Sequence, residues 1–240
     1  MGEKWERKRP RKLMRPLRQI KSFVRRQRRL TPRQEKALAY AWPEFGITIS
    51  EGSLPLDTIF GRTAPKICEI GFGHGDTLIP MAKNNPECDY LGIEVHEPGV
   101  AATLLQMIEL DIKNIRVIQN DAVAVLRDNI SDNTFSRVHI YFPDPWQKKR
   151  HHKRRIIQAD FIELIRQKLC VGGVIHCATD WENYAEHMMS VLSANTGFEN
   201  CIGDSQFADN EQLHLRQHTK FERRGLKLGH GVWDLVFKKK

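Results

Sequence analysis

The stretch Lys66-Ile67-Cys68-Glu69-Ile70-Gly71-Phe72-Gly73-His74-Gly75-Asp76 constrains this chain more than any other. A short run of β-formers, Ile67 to Ile70, meets glycines at 71, 73 and 75, and a helical pattern with Leu78, Ile79 and Met81 follows. That pattern is strand, tight turn, helix. Glycines let the backbone take φ > 0 and let a ligand approach the main chain with no Cβ in the way. The helix N-terminus that opens there favours polar or anionic groups. The spacing G-x-G-x-G departs from the dinucleotide fingerprint G-x-G-x-x-G. In addition, Glu69 lies inside the strand, two residues before the first glycine. A buried carboxylate at a strand end needs a partner. It would repel a phosphate and attract a cation.

From residue 66 onward strands and helices alternate. Strands are expected at Lys66–Ile70, Tyr90–Val95, Ile115–Gln119, Val138–Phe142 and Val174–Ala178. Helices are expected from the glycine turn to about Asn84, then at Val100–Leu110, Val123–Arg127, Arg154–Leu169 and Tyr184–Ala194. Two further strand-like pieces, Phe198–Ile202 and Val232–Phe237, have no full crossover helix between them and suit an antiparallel edge. Alternating βα units imply an α/β fold: a doubly wound, mostly parallel seven-stranded sheet with helices on both faces and an antiparallel edge strand. Upstream, Thr31-Pro32 reads as an N-cap with Pro at the first helical position, starting a short helix to Tyr40. Pro43, Gly46, Gly52, Pro55 and Gly61 make residues 41–65 an irregular connector. The expected organisation is therefore an arm (1–30), a helix and connector (31–65) and one α/β domain (66–240).

In such sheets ligands bind beyond the carboxyl ends of the strands. Those ends carry Glu69, Glu94, Asp121, Asp144 and Asp180. A cationic cofactor suits this rim and points to S-adenosylmethionine. Glu-x-Gly-x-Gly-x-Gly resembles motif I of the class I, Rossmann-like methyltransferases. Glu94 stands where an acid meets a ribose diol in this class of sheet. Asp121 follows the third strand, where it can accept from an adenine amine, cap the next helix, or do both.

Charge is uneven. Residues 1–30 hold thirteen Lys and Arg against Glu3 and Glu6, a net +11, while the whole chain is only +9. The body is thus nearly neutral, and the basic arm reads as a flexible grip for a polyanion. No apolar run approaches the length of a membrane span, so a soluble protein is expected, and the cysteine usage suits a cytoplasmic one. Five scattered cysteines without a C-x-x-C pair suggest reduced thiols. Neither the adjacent His151-His152 nor the pair His214 and His218 comes with the companions a metal site needs, so no metal is expected.

The fourth strand ends in Phe142-Pro143-Asp144-Pro145-Trp146. Two prolines restrict the backbone around one carboxylate, and the indole beside it can stack on a base. Next comes Gln147-Lys148-Lys149-Arg150-His151-His152-Lys153-Arg154-Arg155, with six cations and two histidines in nine positions. A basic block beside a reactive pocket reads as a phosphate clamp.

Pro143-Asp144-Pro145-Trp146-x-Lys148-Lys149-Arg150-His151-x-Lys153-Arg154-Arg155 closely resembles the signature of the bacterial tRNA (guanine-N7-)-methyltransferases, the TrmB family. The cofactor motif at Glu69–Gly75 and the segment Thr219-Lys220-Phe221-Glu222-x-Arg224-Gly225 with Leu228-Gly229-His230 match the same family in order. The resemblance covers roughly residues 30–237. It implies methyl transfer from S-adenosylmethionine to N7 of guanosine 46 in the tRNA variable loop, with S-adenosylhomocysteine as the other product, by a monomer or homodimer. It also implies that Glu69, Gly71, Gly73, Glu94, Asp121 and Asp144 bind the cofactor, with Asp144 the catalytic residue. Lys148, Asp180, Thr219, Lys220, Phe221 and Glu222 would contact the substrate. Arg150, His151, His152, Lys153, Arg154 and Arg155 would bind RNA. How Asp144 and Asp180 divide the work is left open by the sequence.

Overall fold

Strand β1 (Lys66–Ile70) is buried at every residue and stands third in a seven-stranded sheet. The computed structural model describes residues 21–23, 29–213, 216, 222 and 231–240. The other strands are β2 (Asp89–Glu94), β3 (Ile115–Gln119), β4 (Phe135–Tyr141), β5 (Leu169–Thr179), β6 (Phe198–Asn200) and β7 (Trp233–Lys239). Their order is β3-β2-β1-β4-β5-β7-β6. Strands β1 to β5 pair in parallel. β7 runs antiparallel to both β5 and β6, so the expected antiparallel pair forms one margin with β7 inside it.

The helices are α1 (Pro32–Phe45), α2 (Leu56–Phe60), α3 (Leu78–Asn84), α4 (Glu97–Glu109), α5 (Ala122–Asn129), α6 (Ala159–Lys168), α7 (Glu182–Ala194) and α8 (Asn210–Leu213). Two apolar cores lie on opposite faces of the sheet. One gathers Phe45 of α1, Leu78 of α3 and Leu104 of α4 around Ile67, Tyr90, Ile115 and Val117. The other gathers Leu126 of α5, Phe161 of α6 and Met188 of α7 around Cys68, Ile70, Leu91, Ile93 and Ile118. Along β1, β2 and β3, neighbouring side chains fall into different cores, as the two-residue period of a strand requires.

Two expectations need correction. The first helix does not stop at Tyr40. A capping box at Thr31 and Gln34 starts it, and it runs through Pro43 to Phe45. Ala37, Ala41 and Phe45 recur every fourth residue and are buried. Burying Phe45 is worth roughly 1.5–3 kcal/mol, the size of the penalty a helical proline carries. Beyond it Ile47 donates to the carbonyl of Val117 at 2.8 Å, covering the β3 edge, and α2 interrupts the rest of the connector. The second correction is the long helix drawn from Arg154. Residues Lys149–Arg154 form a 3-10 helix, Gln158 is extended, and α6 begins only at Ala159. Tyr184 Oη accepts the Ile157 N–H at 3.3 Å, which holds that break in place. Among the described residues no helix is long and apolar enough to cross a membrane.

Candidate active site

The chain reverses its direction of winding between β1 and β4, and a cavity of about 880 Å³ opens there at the strand ends. Ile70, Gly71 and Gly73 come from the end of β1, Ile93 and Glu94 from β2, and Asn120 and Asp121 follow β3. Tyr141 through Lys148 close the opposite wall. This is where an open parallel sheet exposes unpaired strand ends to a ligand.

On the first wall Gly71 and Gly73 have φ of 75° and 57°, which only glycine adopts without strain. Glu94 is buried, and its carboxylate accepts three backbone N–H groups: Gly73 at 2.9 Å, Val95 at 2.6 Å and His96 at 2.8 Å. Its position is therefore set by the turn it faces. Asp121 caps α5 by accepting from Val123 N–H at 3.1 Å while also lining the cavity, so one side chain can serve both purposes. Glu69 does not line the cavity. It is 2% exposed beneath it, accepting from the Thr77 hydroxyl, and its Oε2 has no hydrogen-bond partner. Burial, against the pull of Thr77, pushes its pKa up to about 7.

The second wall is strained. Phe142 and Trp146 both have positive φ, 50° and 47°, on either side of Pro143-Asp144-Pro145. Such conformations cost of order 1 kcal/mol or more each and persist only where surroundings impose them. Asp144 is exposed toward the cavity between them. Trp146 is gripped by the chain itself: the Arg154 guanidinium stacks 3.8 Å from its ring centre, and its indole N–H donates to the Ser22 carbonyl at 3.1 Å. Arg154 also donates to the carbonyls of Lys21 and Phe23 at 3.2 and 3.3 Å. Ser22 and Phe23 of the basic arm thus line the cavity.

The basic block divides. Lys148, Lys149, Arg150 and Lys153 are exposed, and Lys148 and His151 line the cavity. Arg155 turns inward, 3% exposed, donating to Pro145 O at 2.9 Å, to Asn183 Oδ1 at 2.9 Å, and facing the His152 ring at 3.2 Å. Asp180 follows β5 half-buried and outside the cavity lining. Glu222 is also internal, held by Arg216. Thr219, Lys220, Phe221, His214, His218 and most of the arm lie outside the described residues. Among the described residues no three His, Cys, Asp or Glu side chains converge as metal ligands.

The sequence reading missed a buried chain of polar groups behind Phe142. Tyr141 O–H lies 3.0 Å from His176 Nδ1, His176 Nε2 lies 2.7 Å from Asp234, and Arg216 bridges Asp234 and Glu222. The available signal was His176 and Asp234, polar residues inside otherwise apolar strands, which must find partners there.

The site therefore joins a glycine cradle with carboxylates, suited to a cationic, hydroxyl-bearing ligand, to a second carboxylate backed by exposed cations. Comparison with known proteins agrees. A family model described as "Putative methyltransferase" matches residues 63–235. A tRNA (guanine-N(7)-)-methyltransferase of Pseudoalteromonas atlantica is 51% identical over 223 residues, covering 93% of this chain and 92% of its own. Those of Aeromonas hydrophila and Escherichia coli are 53% and 52% identical, each over 93% of its own length and over 93% and 94% of this chain. Among solved structures, the 16S rRNA methyltransferase KamB shares the fold with a TM-score of 0.60 at 12% identity, covering 82% of this chain and 98% of that one. With half of all aligned positions retained over nearly the whole chain, and the glycine turn and Asp144 loop meeting in one cavity, this protein belongs to the tRNA (guanine-N7-)-methyltransferase family.

Proposed function

We propose that this chain transfers the methyl group of S-adenosylmethionine to N7 of guanosine 46 in the tRNA variable loop, in the cytoplasm, releasing S-adenosylhomocysteine. The observation that carries this reading is one cavity whose walls include Gly71, Gly73 and Glu94 on one side and Asp144 and Lys148 on the other. The residues fit such a donor. A Cβ added at Gly71 or Gly73 would meet nothing within 4 Å, so the main chain is open to a ligand there. Glu69 Oε2, buried without a hydrogen-bond partner, suits a nearby positive charge. Glu94 would accept from ribose hydroxyls and Asp121 from the adenine amine. Bound there, S-adenosylmethionine supplies an electrophilic methyl group on sulfur.

Guanine N7 has a lone pair and no hydrogen, so attack needs no general base. The protein's task is placement, and orientation alone can lower a barrier by roughly 7–11 kcal/mol. Positive charge grows on the purine as N7 is methylated. A fixed carboxylate at Asp144 stabilises that charge, and Asp144 or Asp180 can accept from guanine N1–H and N2–H, selecting it over adenine. Lys148 sits at the cavity, where it can meet the phosphate of the inserted nucleotide, and Lys149, Arg150 and Lys153 extend the cationic surface outward. Thr219, Lys220 and Phe221 complete the substrate side in this reading, while Glu222 is buried against Arg216. The test is transfer of labelled methyl to bulk tRNA, followed by nucleoside analysis. Label in 7-methylguanosine is expected; label in another nucleoside, or none from a donor-binding preparation, would overturn it.

A further inference from the structure

We propose that Arg216 is a positioning residue for methyl transfer, fixing the Asp144 loop, β7 and Glu222 in one register. This rests on the reading of the site given above. The Arg216 side chain has no solvent exposure. Its Nε and Nη2 donate to the two oxygens of Asp234 at 2.8 and 2.9 Å. Its Nη1 and Nη2 donate to the two oxygens of Glu222 at 2.5 and 2.8 Å. One planar fork thus serves two carboxylates bidentately, which an ammonium could not do. The guanidinium also lies 5.1 Å from the ring centre of Phe142 and 5.5 Å from that of Tyr141.

These contacts converge on the strained residue that launches the Asp144 loop. Phe142 keeps its positive φ while its N–H donates to Ala178 O at 2.8 Å and its ring lies against Arg216. Tyr141, one residue earlier, is fixed by the same cluster. Neutral His176 donates from Nε2 to Asp234, a carboxylate that can only accept, so its Nδ1 accepts the Tyr141 hydroxyl proton. Burial holds His176 below its ordinary pKa and keeps it neutral, despite the pull of Asp234. Burial would raise Asp234, but hydrogen bonds from His176 and Arg216 hold it below the usual carboxylate range.

A buried cluster of one cation and two carboxylates is a poor device for stability alone, since its desolvation offsets most of its attraction. What it does supply is direction. Asp234 belongs to β7 and pairs with Ala178 of β5, so it is fixed to the sheet. Glu222 belongs to the C-terminal segment, and Phe142 leads into Asp144. Arg216 ties all three. In-line transfer tolerates errors of about half an ångström in the supporting groups, so loosening this tie lowers turnover before it lowers donor affinity.

The experiment compares full-length wild type, Arg216→Lys and Phe142→Leu. It measures S-adenosylhomocysteine affinity by calorimetry, thermal melting, and kcat and KM with bulk tRNA per donor-binding site. For Arg216→Lys, kcat is expected to fall at least about thirtyfold while S-adenosylhomocysteine affinity changes less than about threefold, the split of an interaction made in the transition state. Phe142→Leu leaves both ion pairs intact and is expected to lower kcat in the same direction, so an Arg216→Lys protein that does not fold still leaves the idea exposed to refutation. A lowered melting temperature with unchanged kcat per binding site in the variant that folds would overturn it and leave Arg216 a purely structural group. A wild type that binds donor yet makes no 7-methylguanosine would instead overturn the reading of the site.

Discussion

Glu94 Oε2 accepts the amide N–H of Gly73 at 2.9 Å, so the end of β2 holds the glycine turn that ends β1. The other oxygen serves Val95 and His96. Glu94→Gln replaces one acceptor by an N–H₂ group that faces a backbone donor. Leaving such a donor unmet costs about 1–3 kcal/mol. The variant is expected to melt lower and to bind S-adenosylmethionine at least about tenfold more weakly, about 1.4 kcal/mol, read by thermal melting and calorimetry. Equal donor affinity would remove Glu94 from the cofactor wall.

Gly99 of α4 approaches the same turn from the other side. A Cβ added there would lie 2.3 Å from the Gly73 carbonyl oxygen, a backbone atom that cannot swing aside. Gly99→Ala should therefore displace the turn and lower donor affinity, although residue 99 does not line the cavity. Calorimetry with S-adenosylhomocysteine tests it against wild type.

Asp144→Ala should bind tRNA within about threefold of wild type and turn over at least about a hundredfold more slowly, as removal of a transition-state electrostatic partner does. Filter binding and single-turnover methyl transfer separate the two. Wild-type turnover in this variant would take Asp144 out of the chemistry.

The arginines at 150, 154 and 155 should behave differently. Exposed Arg150→Ala is expected to weaken tRNA binding and flatten its log–log salt slope by about 1. Arg154→Ala releases the carbonyls of Lys21 and Phe23 and should speed trypsin cleavage after Lys21. Arg155→Ala leaves Pro145 O and Asn183 without their donor and should cost about 1–3 kcal/mol of stability with no change in salt slope. Identical salt slopes for all of these variants would refute this division.

Glu69 makes stability depend on pH. Burial raises its folded pKa to about 7, so the folded chain favours the protonated acid. That contribution is complete below the ordinary carboxyl pKa and is lost as pH rises through about 7. Glu69→Gln should therefore gain relative to wild type between pH 5 and pH 8, by up to roughly 3 kcal/mol. Melting curves across that range, without ligand, test the sign; parallel curves would show that Glu69 is ionised throughout.

Strands β1 and β3 could be read to the residue because apolar runs there end at glycine or at Asn120-Asp121. The start of α1 was equally plain, since Thr31, Pro32 and Gln34 act within four residues. Its end was not: Pro43 reads locally as a stop, and only the fit of Phe45 between α4 and β3 carries the helix past it. The break before α6 was hidden for a similar reason. Nothing within residues 154–158 forbids helix, but Tyr184 and Asn183, nearly thirty positions away, bind Arg155 and Ile157 in another conformation.

The chain's own order of residues determined the wound sheet, the glycine turn after β1 and the proline-flanked loop at Asp144, because strand period, glycine spacing and proline restriction act over a few neighbouring residues. It could not say that Arg155 and Glu222 face inward, that Ser22 meets Trp146, or that Arg216 joins Asp234 to Glu222. Those pairings span between 6 and 124 positions and involve side chains equally able to face water. Which of them are buried depends on the partners that the folded sheet brings within hydrogen-bonding distance, and local sequence carries no record of that distance.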